Sequence, residues 1–546
     1  MKVFVFAVAF LLVGLSALAA QPHHHAAAAG SAAVLLSGLG THHHPIATRN
    51  ARTQSFFDQG IKLVFAFNHG EAVRSFERAA ALDPQAVMPL WGIALALGPN
   101  INLDVDPERE QRAYAAVQKA SVLAVQAPAP ERAYVEALAT RYSNDPNADL
   151  RKLAVDYKNA MGALSKHYPD DLDAATLYAE AAMDLRPWHL WNADGTPAEG
   201  TEEIVDVLES VLKRDPNHIG ANHYYIHAIE ASPHPERALP SAQRLERLVT
   251  SAGHLVHMPS HIYMRTGDYA GAVARNAAAA AADRAYLAQS GAQGVYPVMY
   301  YSHNLQFLAM AASMMGRFAE AKRAADQLAV NVAPAVAAMP MAEGYLPLPT
   351  FVLLRFNRTA EVLRLPEPNP EGPLVHVFWH FARGVAAAQR GDVTTADSER
   401  EAFEVASRAV PSDAVMGLNP AARVLTIAAQ VLDARIITAR GNRPQAIEHW
   451  RQAVGAQDAL AYDEPPFWYY PVRESLGAAL LLNGDAAAAE QVFRDDLERN
   501  PRNPRSLFGL WQSLQAQHKD ADAGWVHREF VTAWQHAEVR LRLEDL

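Results

Sequence analysis

Two short stretches carry most of the chemistry this chain has to offer. HYYIHAIEASPH runs from His223 to His234, and HLVHMPSHIY from His254 to Tyr263. Each holds two histidines four residues apart, His223/His227 and His257/His261, and the second pair follows the first by 34 residues, member for member. A four-residue step on a helix puts both side chains on one face, about 6 Å apart along the axis. Neutral imidazole nitrogen is a ligand for zinc, copper, nickel or iron(II), and a nearby carboxylate can ligate or orient a histidine. Glu230 lies three residues past His227 and seven past His223, on the same face. His254 and Met258 flank the second pair, and a nearby methionine favours copper slightly over zinc.

The composition narrows the options. The chain has no cysteine, which excludes disulfides, thiolate nucleophiles and thiolate metal sites. A formal net charge of −11 leaves no basic surplus for neutralising phosphates, so a nucleic-acid partner is not expected. No Gly-rich phosphate loop, GxSxG elbow, HExxH or dinucleotide fingerprint occurs, so no nucleotide or organic cofactor is indicated. Any catalysis would have to come from the histidines, through a metal able to activate water or dioxygen.

Residues 1–20 read as an export signal: Lys2, the apolar run VFVFAVAFLLVGL, and small residues in SALAA. Cleavage there would start the mature chain near Gln21 and place it in the periplasm or outside the cell, with no membrane span remaining. Residues 21–52 form a His/Ala-rich segment with triplets at His23–His25 and His42–His44, which suit either metal binding or a flexible tail.

The elements that must position the histidines are repeated. In GIKLVFAFNHGEAVRSFERAAALDP, Gly60, Ala72, Phe76, Ala79 and Pro84 keep the same spacing as Gly477, Ala489, Phe493, Asp496 and Pro501 in GAALLLNGDAAAAEQVFRDDLERNP. Small residues let two helices approach, the phenylalanine fills the gap, and the proline ends the second helix. Gly384/Ala396, Ala446/Trp450/Ala453 and Ala321/Ala325 repeat parts of the pattern. This resembles the tetratricopeptide repeat, a helix–turn–helix unit of about 34 residues. The resemblance implies an all-α superhelical solenoid, with one array over 53–332, a Pro-rich connection over 333–375 and a second array over 376–546. A short helix is expected around TFVLLRFNRTAEVL, and no strand pattern is visible.

The interval of 34 is then one repeat, and Ala238 and Ala272 mark the second helices of consecutive units. The resemblance implies that the first helices line a concave groove, so His223, His227, His257, His261 and Glu230 face it together. His303 in YYSHN opens the next unit, after 15 extra residues around LAQSGAQGVYP that would form a loop over the groove mouth. Tyr225, His254, Met258, Tyr300 and Tyr301 are the candidate groove-lining residues. Three readings stay open: a transition-metal site beside a bound protein or small molecule, a hydrolytic or oxidative metalloenzyme, and a metal-free scaffold. His376/His380, His69 and the aromatic loop DEPPFWYYPVR (Asp463–Arg473) read as packing, capping and a rigid connection.

Overall fold

The computed structural model describes residues 33–369 and 372–546. The proposed export signal and the triplet His23–His25 lie outside the described residues. Among these residues the protein is an all-α repeat solenoid, in which consecutive helices pack as pairs along the chain. The only strands among them are Val415–Met416 and Asn419–Pro420, two residues each.

The repeat spacing has the physical role expected of it. The first hairpin joins helices Ala51–Val64 and His69–Leu82, capped by the side chains of Asn50 and Asn68. Phe76 is fully buried between Gly60 and Gly92, and a methyl group added at Gly92 would lie 2.6 Å from its ring. The same lock recurs at the other end, where Phe493 is wedged between Gly477 and Gly509 and a methyl group at Gly477 would also lie 2.6 Å away. Glycine is needed at these places because the helices touch across the ring.

The histidine-bearing units are less regular. Helix Ile219–Ile229 carries the first pair and is buried on every side, as expected of an interior helix. Its counterpart is broken into Gly253–His257 and Pro259–Thr266, because Pro259 cannot continue the amide ladder beyond a first turn. The second pair therefore straddles a joint. The extra residues before His303 do not form a free loop. Helix Tyr269–Ser290 lengthens to 22 residues, stops at Gly291 in the left-handed region (φ 63°), and a π-turn at Tyr296–Tyr300 feeds helix Tyr301–Met314.

The segment expected to be helical around residue 355 is split into Leu348–Arg355 and Thr359–Val362, with Asn357 at φ 53° between them. Distant parts of the chain close on one another. Arg355 and Glu474 form a buried pair at 2.6 Å, Tyr269 donates to the Pro501 carbonyl at 3.0 Å, and the loop after residue 460 reaches back to Glu230.

Gly477→Ala is expected to destabilise the protein by about 1–3 kcal/mol through overpacking against Phe493. Gly455→Ala, in an exposed helical position with open space around it, is expected to be neutral or to stabilise by about 0.5–1 kcal/mol. Urea unfolding of the two variants checks this, and equal effects would contradict the helix-contact account.

Candidate metal centre

Six histidines meet in the interior. His223, His227 and His254 form one set, and His257, His261 and His303 another, each with ligand atoms within 4.8 Å of one another. His227, His261 and Glu230 form a third set that joins the two. The ring centres of His227 and His261 lie 5.4 Å apart, and those of His254 and His257 5.8 Å. Five of the rings are buried and His303 is partly exposed. They line the interior rather than an open concave surface, which corrects the groove-facing placement expected from the repeat.

Hydrogen bonds at Nδ1 fix the character of four rings. His223 Nδ1 meets the Phe65 carbonyl at 2.7 Å, so it must donate. Asn276 donates its amide to the Ala272 carbonyl, which leaves its oxygen to accept from His257 Nδ1 at 2.7 Å. The two oxygens of Glu230 accept from His227 Nδ1 (2.7 Å) and His261 Nδ1 (2.5 Å). A neutral imidazole with its proton on Nδ1 presents a bare lone pair at Nε2. His257 Nε2 and His261 Nε2 nevertheless face each other at 2.8 Å. Two lone pairs at that distance repel unless a proton or a cation lies between them.

The first triad differs, because His254 Nδ1 is uncommitted and its Nε2–H can donate to the bare His223 Nε2. His223 Nε2 faces His254 Nε2 at 3.1 Å, while His227 Nε2 and His254 Nδ1 are buried without a hydrogen-bond partner among the described residues. Orphaned polar atoms in a native interior call for a reason. The arrangement matches the pattern in which a carboxylate or carbonyl holds one ring nitrogen so that the other can bind a metal.

The electrostatics keep His223, His227, His254, His257 and His303 neutral. Burial holds His223, His254 and His257 well below the ordinary histidine range, and neighbouring rings add to it. Burial also lowers His227 against the pull of Glu230, and lowers His303 to about 3. For Glu230, burial would raise the carboxyl, but His261 and the hydrogen bonds from both rings outweigh it and leave an ionised carboxylate. Beyond Glu230, the Tyr462 hydroxyl lies 3.1 Å from its Oε2 and 2.9 Å from Glu464 Oε2. One hydroxyl proton cannot serve both carboxylates. Burial pushes Glu464 up to about 7, and the Tyr462 hydroxyl is placed to donate to either carboxylate.

A chamber of about 200 Å³ opens onto both triads through His227, His254 and His303. Its walls include Trp188, Met299, Tyr300, Met339, Tyr345 and Phe467, with Asp463 and Glu464 at one side. Phe67, held in the left-handed region at φ 53°, presses its ring against His254 and His227 with centres 5.3 and 5.9 Å away. Such a conformation is costly for a bulky residue and is kept only where surrounding contacts impose it.

The expected residues divide as follows. His223, His227, His257, His261, His303 and Glu230 all come together, and His254 joins as a triad member rather than a flanking residue. Tyr300 lies against His254, with ring centres 5.1 Å apart. Tyr225 does not face the cluster, since its hydroxyl bonds Glu209 at 2.5 Å on the neighbouring helix. Met258 and Tyr301 are core residues. Tyr462, Glu464, Asn276 and Phe67 were not legible as site residues. Glu464 belongs to the aromatic loop and Tyr462 immediately precedes it, more than 200 residues from Glu230, and no spacing rule connects them.

The triplet His42–His44 is a fastening. His44 Nδ1 and His218 Nε2 hydrogen-bond the Asp173 carboxylate at 2.7 and 3.0 Å, and His42 Nε2 lies 3.0 Å from it without hydrogen-bond geometry. His218 Nδ1 accepts from the Ala221 amide, so its Nε2 carries the proton and donates. Asp173 is thereby satisfied by hydrogen bonds, and the extended arm before residue 50 is tied to the solenoid. His380 is similarly occupied by Glu399 at 2.7 Å.

No protein-family model matches the chain, and no curated protein matches it. Solved structures with similar helical architecture include the human IFIT1 dimer with m7Gppp-AAAA (12% identity, 90% of this chain and 92% of that chain, TM-score 0.33). Yeast Tom70 is similar over 88% of this chain and 97% of that chain at 12% identity, with a TM-score of 0.31. The APC/C hetero-tetramer Cut9-Hcn1 is similar over 88% and 94% at 11% identity, with a TM-score of 0.28. Likeness at this level says nothing about the site, whose interpretation rests on its own residues.

Metal-free protein is expected to lose stability on acidification. The depressed rings stay neutral when folded, whereas in the unfolded chain they take up protons near pH 6.5. Their stabilisation is complete above that pH and is lost as pH falls towards the folded values. Each ring then forfeits up to about 2 kcal/mol between pH 6.5 and 5. Urea midpoints measured from pH 7.5 to 5 should fall, and a flat profile would contradict neutral burial.

Proposed function

We propose that the protein is an exported repeat solenoid that holds copper or zinc on its interior histidine cluster and presents the metal to a ligand in the adjoining chamber. The observation that carries this reading is the facing pair of His257 and His261 Nε2 atoms at 2.8 Å, with both Nδ1 atoms already committed, beside the partnerless His227 Nε2 and His254 Nδ1. A metal cation taking the place of a proton between these nitrogens would turn the contact into binding. His223, His227, His254 and His303 would supply the remaining nitrogens, while Glu230 orients His227 and His261. When bound, the metal would supply Lewis acidity or redox chemistry.

Export rests on the pattern of residues 1–20. No helix among the described residues is long and apolar enough to cross a membrane. A metalloenzyme, hydrolytic or oxidative, is the second reading. It is favoured by the chamber touching both triads and by Asp463 and Glu464 beside it, both pushed up to about 7, chiefly by burial. Carboxyls in that range can give or take a proton near neutral pH.

The test is to express the full chain, purify it without a metal column, sequence its N-terminus and measure bound metal. Copper or zinc near stoichiometric amounts and a mature start near Gln21 are expected. The double variant His227→Ala/His261→Ala should lower metal content by about tenfold or more. Metal below about a tenth of an ion per chain after reconstitution with zinc, copper and iron would contradict the metal site.

A further inference from the structure

We propose that the cluster takes two transition-metal ions side by side, one on His223, His227 and His254 and the other on His257, His261 and His303. This rests on the metal-binding reading above and adds the number and placement of the ions. The six nitrogens fall into two compact sets rather than one, each within 4.8 Å. A single ion has no use for six imidazoles whose rings extend over two repeat units. A tetrahedral ion with bonds of about 2.0–2.1 Å spaces its ligand nitrogens roughly 3.3 Å apart. The pairs His223/His254 at 3.1 Å and His257/His261 at 2.8 Å are near that spacing, one pair in each triad.

Glu230 gives the arrangement its internal logic. One oxygen holds His227 of the first triad and the other holds His261 of the second, so a single carboxylate orients one ligand of each ion. A carboxylate spent on two Nδ1 protons is not itself a ligand, and each ion is left with three neutral nitrogens. Both triads touch the chamber, through His227 and His254 on one side and His303 on the other. The open position of each ion would therefore face the same space.

Charge narrows the identity of the ions. Among the described residues Glu230 is the one carboxylate directly bonded to the cluster, with Asp463 and Glu464 lying farther out. Six neutral ligands and one shared negative charge favour ions of low charge, since buried charge without compensation is costly. Imidazole suits copper, and Met299, Met339 and Met341 in the chamber wall supply soft neighbours. Copper(I) is therefore the first probe.

The experiment is an anaerobic titration of the metal-free full-length protein with copper(I), and separately with zinc(II), counted by native mass spectrometry. Two ions per wild-type chain are expected. His254→Ala and His303→Ala should each leave one, and the double variant none, with helical circular dichroism unchanged. A wild-type chain that saturates at one ion overturns the two-ion assignment and leaves the metal reading intact. A chain that binds none overturns both. If His254→Ala and His303→Ala each still bind two, the ions are not seated on these triads. The wild-type count stands whether or not the variants fold.

Discussion

The carboxylate of Glu230 is the constraint on which the interior depends. It is fully buried, and its two oxygens fix the proton of His227 and the proton of His261 on the inner ring nitrogens. Tyr462 supplies the third contact from more than 200 residues away. An ionised buried carboxylate is tolerable only with such partners, and the partners in turn are fixed in one tautomer. The consequence is that the outward nitrogens of His223, His227 and His257 have nothing to donate. Protein interiors usually avoid this, because an unsatisfied buried polar atom costs about 1–3 kcal/mol.

Much of this was legible in the sequence, for physical reasons. Side chains four apart on a helix share a face, and duplication of a helical hairpin places equivalent faces together. Those two facts suffice to bring His223, His227, His257, His261, Glu230 and His303 into one neighbourhood. The glycine–phenylalanine lock was legible because it depends on size alone, and Phe76 and Phe493 sit as their spacing required. What was not legible depends on the path of the chain between repeats. Pro259 breaks the second histidine helix, so His254 turns inward as a ligand candidate. Tyr225, expected to line a groove, turns to Glu209 instead. The aromatic loop at Asp463–Arg473 reads locally as a rigid connection, yet it delivers Glu464, and Tyr462 just before it, to the site. Such long-range closure leaves no local signature. The described residues offer no account of the His23–His25 triplet.

The solenoid explains how so polar an interior is held. Helix Ile219–Ile229 is buried on all sides, with Phe67 against His223 and His227 and Phe307 against His257. The arm fastened by His42, His44 and Asp173 covers the first hairpin beside Phe65. Burial of this kind keeps His223, His227, His254, His257 and His303 neutral, which is the protonation state that binds metal. The same burial that makes the empty arrangement unfavourable makes it a better ligand set.

The central claim is the tautomeric state of four rings, and it can be read directly. Long-range proton–nitrogen correlation spectra of metal-free protein labelled with 15N-histidine should show His223, His227, His257 and His261 protonated at Nδ1, with the Nε2 atoms of His223, His227 and His257 unprotonated and shifting when copper(I) or zinc(II) is added. Protonation of any of these three at Nε2, or Nε2 resonances that ignore both metals, would contradict the account.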